Sequence, residues 1–244
     1  KIASTLNSTS CLDNSENSSL NSILPSLLIL PIPIKIGIDK WDTVLKWDFK
    51  QAKVNWFQGA KLNITENCLD RHLQDNSEKT AIIFEPNNPK DSSEKITYRS
   101  LFERVCKMSN VLKEKGVKKG DRVCIYLPMI PELAISVLAC ARIGAIHSVI
   151  FAGFSSNALA TRINDCGSRI VITSDGSYRG EKIIDLKGIV DDALSECKIV
   201  DTVLVVNRIN SKINLVDGRD ILLKPLLKNA DKYCDAEIMD AEDP

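Results

Sequence analysis

The stretch "DRVCIYLPMIPELAISVLACARIGAIHSVIF", residues 121–151, decides the fold class. Its first part, "DRVCIYLP", is a short apolar run of the kind that forms a buried strand. "MIPELAISVLACARIGA" follows, with Pro131 near its start and Gly144 just past its end. Proline first and glycine last is the asymmetry that helix termini favour. The segment is apolar on most faces, which predicts a helix buried in the protein. "IHSVIF" then predicts a second strand. Strand, buried helix and strand in succession make a βαβ unit with parallel strands.

Working outward, the same alternation continues. Upstream, "TYRSLFERVCKMSNVLKEKG" places Leu101, Val105, Met108 and Leu112 on one face at helical spacing and stops at Gly116. Before it, "TAIIFEPN" predicts a strand ending in Pro86, and "NITENCLDRHL" a short helix. Downstream, "SSNALATRINDC" predicts a helix, "RIVIT" a strand, "DLKGIVDDALSEC" a helix and "VDTVLVVN" a strand. In "DLKGIVDDALSEC", Leu186, Ile189, Val190, Ala193 and Leu194 fall on one side. Four strands alternating with helices predict an α/β fold, a layered sheet with helices on both faces. In such sheets ligands sit at the carboxyl ends of the strands. Two segments lie at such ends: "FAGFSS" after "IHSVIF", and "SDGSYRGEK" after "RIVIT".

Composition excludes several classes. Lys plus Arg and Asp plus Glu balance at 32 each, which argues against a surface built to coat nucleic acid. The most apolar segment, "ILPSLLILPIPIKIGI" at residues 23–38, is broken by Pro25, Pro31 and Pro33 and is followed by charge, so it predicts neither a membrane span nor a clean signal peptide. The Gly-x-Gly-x-x-Gly fingerprint and the Walker loop are absent, and "GVKKGDR" reads as a turn before a strand. The eight cysteines, at 11, 68, 106, 124, 140, 166, 197 and 234, show no zinc-type spacing. Several sit in apolar runs, which predicts buried free thiols and a cytoplasmic protein. His72 and His147 stand in no recognisable catalytic constellation.

Residues 4–22 hold seven Ser and four Asn in nineteen positions, a composition that cannot build a core. Residues 1–39 are therefore expected to be disordered or foreign to the domain that follows, 40–244. "WDTVLKWDFKQAKVNWFQGAKLN", which carries all three Trp, reads as an aromatic-anchored wrap over a domain surface.

From about Lys40 to Pro244, the blocks "WFQGAKLNITENCLDRHL", "KKGDRVCIYLPMIPEL", "LPMIPELAISVLACARIGAIHSVIFAGFSS", "SDGSYRGEK" and "MDAEDP" occur in an order and spacing that closely resembles the N-terminal part of the AMP-forming acetyl-CoA synthetases. These are acetate–CoA ligases of the acyl-adenylate-forming superfamily. The resemblance implies acetate, ATP and coenzyme A as substrates, with Mg2+ accompanying ATP, and reaction through acetyl-adenylate to acetyl-CoA, AMP and pyrophosphate. It implies that "YRGEK" meets the phosphorylated nucleotide end of coenzyme A. Arg179 and Lys182 would be the phosphate ligands, Gly180 and Glu181 would shape the loop between them, and the backbone at Phe151, Ala152 and Gly153 would line the same ligand. In the family, "MDAEDP" precedes the loop that holds the ATP phosphates. Most of the ATP and metal sites, the acyl pocket and the catalytic lysine would then lie beyond Pro244. The expectation is a fragment without catalytic or metal-binding residues of its own, inactive alone, from an enzyme that works as a monomer. Two alternatives stand beside it: a non-catalytic coenzyme A- or nucleotide-binding module, and a fragment of a propionyl-CoA synthetase.

Overall fold

A computed structural model describes residues 39–88, 90 and 92–244. Apart from Asp39, the segment expected to be disordered lies outside the described residues. Contacts divide the chain into two compact units. The first holds the described residues up to Lys61 together with Asp240–Glu242; the second runs from Leu62 to Met239 with Asp243 and Pro244.

In the first unit, β1 (Thr43–Asp48) and β2 (Lys53–Gln58) pair antiparallel, with Leu45 opposite Trp56 and Trp47 opposite Val54. The tryptophan-rich segment is thus a hairpin, which the expected aromatic wrap did not specify. Glu242 belongs to the same unit, accepting from the Trp56 N–H at 2.6 Å and from Asn55 Nδ2 at 2.8 Å.

The second unit begins with short β3 (Lys61–Leu62), which starts on the unit boundary, then α1 (Ile64–Cys68), and β4 (Thr80–Phe84) paired antiparallel with β5 (Glu94–Thr97). The predicted βαβ array follows: α2 (Tyr98–Glu114), β6 (Arg122–Tyr126), α3 (Pro131–Arg142), β7 (Ile146–Val149), α4 (Ser156–Cys166) and β8 (Ile170–Ser174). A small ribbon, β9 (Ser177–Arg179) and β10 (Lys182–Ile184), precedes α5 (Leu186–Leu194) and β11 (Thr202–Val206). Then come β12 (Asp220–Leu222), α6 (Leu223–Asn229) and the two-residue β13 (Met239–Asp240), which ends on the unit boundary.

Five strands form one sheet in the order β12-β11-β8-β6-β7, every pair parallel. The fifth strand, β12, escaped the sequence reading because three residues are too few to show a period. β6, β8 and β11 are buried almost throughout, as parallel strands covered on both faces must be. Strand alternation sends their side chains to two cores. Val123, Ile125, Ile170, Ile172 and Leu204 pack with Leu101, Val105, Met108 and Leu112 of α2 and with Ile135 and Ala139 of α3. Cys124, Tyr126, Val171, Val203 and Val205 pack with Leu159 and Ile163 of α4 and with Leu186 and Val190 of α5. No α3 side chain is fully exposed, as its composition predicted.

Local signals set the helix ends. Ser155 accepts from the Ala158 N–H at 3.4 Å to open α4, and Gly167 closes it in the left-handed region at φ +64°. Asp185 accepts from the Gly188 N–H at 2.8 Å to open α5. No helix among the described residues is long and apolar enough to cross a membrane.

Candidate functional site

Because all five sheet strands are parallel, their carboxyl ends line one edge. β7 and β8 flank β6 on either side, so the segments leaving them stand on that edge two strand spacings apart, roughly 10 Å. Phe151, Ala152 and Gly153 leave β7; Arg179 to Lys182 follow β8.

The second segment is not the loop the sequence suggested. It is a two-residue hairpin in which Arg179 and Lys182 are direct cross-strand partners, Tyr178 faces Ile183 and Ser177 faces Ile184. Gly180 occupies the first turn position at φ +62°, as a type II′ turn requires. Direct partners project from the same face of a ribbon, so both cations stand side by side and exposed. Neither meets a carboxylate within ion-pair distance among the described residues. Like charges placed directly opposite destabilise a β pair by a few tenths of a kcal/mol, a cost that an anion bound between them would reverse. Asp175, the nearest acidic residue in sequence on the upstream side, is buried and engaged elsewhere.

The first segment is a tight turn in which the Phe154 N–H donates to the Phe151 carbonyl at 3.0 Å. Phe151 is 70% exposed, and its ring lies edge-on to Phe154 with centroids 5.9 Å apart. A Cβ at Gly153 would come within 2.4 Å of the Phe151 ring, so a larger residue there would push that exposed ring aside. Tyr126 donates its hydroxyl to the Phe154 carbonyl at 2.8 Å, and the Arg162 guanidinium sits 4.5 Å over the Phe154 ring. The turn is thereby tied to β6 and α4. No hydrogen bond or ring contact among the described residues joins it to the hairpin; the shared edge is what relates them.

Beside the hairpin an open cavity of about 320 Å³ is walled by Ile183, Ile209 and Ile213, with Ser211 and Lys212 among its polar lining. The residues that the sequence reading missed are Tyr178 and Arg208. The Arg208 guanidinium lies 5.8 Å from the Tyr178 ring centroid and 5.6 Å from that of Phe84. Nothing local in "VVNRINS" announces that role, since the ring partners come from β4 and β9.

Among the described residues seven cysteines are free, and five of them are buried. Burial pushes the Cys106 thiol up to about 11 and the Cys140 thiol up to about 12, and raises Cys124 as well. These thiols stay protonated and are unsuited to nucleophilic work. Among the described residues no group of three or more His, Cys, Asp or Glu could hold a metal ion.

Comparison with known proteins bears on the family and the fold. The family model described as AMP-binding enzyme matches residues 69–243, and the model described as acetyl-coenzyme A synthetase N-terminus matches residues 38–68. Acetyl-coenzyme A synthetase of Halorhodospira halophila is 51% identical over 205 residues, covering 84% of this chain and 32% of its own length. Acetyl-coenzyme A synthetase 2 of Pseudomonas aeruginosa is 52% identical over 204 residues, with the same two shares. The chain therefore spans about a third of the length of these curated relatives. The solved structure of acetoacetyl-CoA synthetase from Streptomyces lividans superposes with a TM-score of 0.79 at 22% identity, covering 94% of this chain and 34% of that one, and shares its fold. With a family model matched over most of its residues, on an α/β sheet of the matching fold, the chain belongs to the AMP-binding enzyme family.

Proposed function

We propose that this chain is the part of an AMP-forming acetate–CoA ligase that grips the phosphorylated nucleotide end of coenzyme A. The observation that carries the reading is the hairpin: Arg179 and Lys182 project side by side from one face with no carboxylate partner among the described residues. Arg offers a planar fork of donors that fits a phosphate, and Lys adds a compact charge. Gly180 and Glu181 form the turn that brings the pair together. Phe151 and the close-packed backbone at Ala152 and Gly153 offer an apolar wall on the same sheet edge. Bound coenzyme A would supply the thiol that accepts the acetyl group; the residues here hold and orient it.

The acetyl specificity rests on the relatives, whose names give acetyl-coenzyme A and not the propionyl compound. The propionyl alternative is therefore not favoured. Acetate and ATP complete the substrate set in this reading. Mg2+ would accompany ATP in the same reading. A cytoplasmic, monomeric enzyme belongs to the same reading, and the free buried thiols fit a reducing compartment.

The test is calorimetric titration of the chain with coenzyme A and with dephospho-CoA. The chain is expected to bind coenzyme A more tightly than dephospho-CoA. Arg179→Ala is expected to lower coenzyme A affinity about tenfold or more, near 1.4 kcal/mol, and to erase most of the preference for the 3′-phosphate. Absence of coenzyme A binding, or an Arg179→Ala chain with unchanged affinity and preference, overturns the reading.

A further inference from the structure

Asp175 follows β8 directly and is 2% exposed. A carboxylate taken from water needs its charge met, and here backbone meets it. Oδ1 accepts from the N–H groups of Gly176 at 2.9 Å, Arg208 at 2.8 Å and Ile209 at 3.1 Å. Oδ2 accepts from Ile209 at 3.2 Å and Ser211 at 3.1 Å. The Asp175 N–H itself donates to the Val206 carbonyl at 3.0 Å, at the end of β11. One carboxylate thus gathers the turn at 207–211 around itself. The turn includes Asn210 in the left-handed region at φ +56°, where a non-glycine residue needs such support.

That turn touches the root and the back of the cationic hairpin. At the root, Gly176 leaves no room: a Cβ there would lie 2.4 Å from Ile209 Cδ1 and 2.9 Å from the Ile184 carbonyl oxygen. At the back, the Arg208 guanidinium lies 5.8 Å from the ring centroid of Tyr178, whose side chain projects from the ribbon face opposite Arg179 and Lys182. A hydrogen bond from the Arg208 guanidinium to Asn87 Oδ1 at 2.8 Å holds the guanidinium from the other side.

We infer that Asp175 is a positioning residue for anion binding: its buried carboxylate holds the 207–211 turn, and through Gly176 and Arg208 that turn sets where Arg179 and Lys182 stand. The inference rests on the coenzyme A reading above for the identity of the anion, a nucleotide phosphomonoester. The mechanical part stands on the hydrogen bonds alone.

Asp175→Asn tests it. The side chain keeps its size, but one oxygen becomes an NH2 group facing N–H donors. Hydrogen exchange over 177–184 and 207–211 is expected to speed about tenfold or more while β6 and β8 stay protected. Affinity for 3′,5′-ADP, used as the probe, is expected to fall about tenfold, and the preference for coenzyme A over dephospho-CoA to shrink with it. Arg179→Ala separates the two claims, since it should lose the ligand without speeding exchange in the hairpin. If the unsubstituted chain binds neither probe, the coenzyme A reading falls and the exchange arm still decides the role of Asp175. If Asp175→Asn loosens every strand alike, Arg208→Met, which leaves the carboxylate intact, decides instead. Faster exchange confined to the hairpin and the 207–211 turn, with lowered affinity, supports the inference; unchanged hairpin protection in either deciding variant overturns it.

Discussion

Lys182 and Lys187 stand five residues apart and live in opposite worlds. Lys182 is exposed on the hairpin beside Arg179, cation next to cation. Lys187 sits in the first turn of α5 and is 1% exposed. Its Nζ lies 2.7 Å from both carboxylate oxygens of Asp191 and 2.8 Å from Asp220 Oδ2. Arg219 closes the ring, 2.6 Å from Asp191 Oδ1 and 2.6 Å from Asp220 Oδ1. Two cations and two carboxylates, alternating, fasten edge strand β12 to α5. A cation whose charge is answered inside the protein is part of the frame. A cation left unanswered beside another of the same sign is free to meet an anion from outside. The contrast separates them better than residue type does.

Asp220→Ala should break the frame with the largest effect. Its side chain is fully buried, and removal leaves Lys187 and Arg219 to share Asp191 alone. Losing one partner of a buried ion pair costs up to about 3–5 kcal/mol, moderated here by Asp191 and read as a lower urea midpoint. The same residue carries an acid signature. Burial alone would raise its carboxyl, but the hydrogen bonds from Arg219 and Lys187 outweigh it and hold it below the ordinary 3.8. A depressed folded value means the stabilisation is present above 3.8 and drains away as pH falls through 3.8 and then through the folded value. The unsubstituted chain should therefore lose stability in that acid window, and Asp220→Ala should show a flatter profile there.

Gly180→Ala sharpens the other side of the comparison. The site is open, with no atom within 4 Å of the place a Cβ would take, so only the left-handed backbone at φ +62° resists the change. The expected cost is about 1 kcal/mol, accompanied by weaker coenzyme A binding as the turn splays. The smallest effect belongs to Lys182→Ala. Stability should stay within about 0.5 kcal/mol of the parent, as for other exposed positions, or rise slightly as the like-charge neighbour is relieved. A loss there comparable to that of Asp220→Ala would show that Lys182 is framework after all.

Much of this molecule was legible in advance. The strands "RVCIY", "IVITS" and "TVLVV" and the helices between them follow from apolar runs, periodicity and Pro/Gly placement, all local properties. "YRGEK" stood out through its charge and its place after a strand, and motif resemblance named its ligand class. That it is a hairpin did not show, because "SYR" and "KII" are each too short for alternation to declare itself. The tryptophan-rich hairpin escaped for a related reason: its strands read as aromatic anchoring before they read as a pair. The apolar side of helix α5 was legible, but nothing local announced that Lys187 is buried as well, since its partner Asp220 arrives from 33 residues downstream.

The sequence by itself determined the α/β class, the order of the main elements and the segments that end up at the carboxyl ends of the sheet strands. Hydrophobic pattern and chain termini of helices are written residue by residue, and parallel βαβ connection leaves few arrangements open. Only the tertiary structure decided which charges are answered and which are not. Asp175 is satisfied by a turn more than thirty residues away, Lys187 by an edge strand, and Arg179 by nothing within the described chain. The energy of a charge depends on what surrounds it in space, and that neighbourhood exists only once the sheet has brought distant segments together.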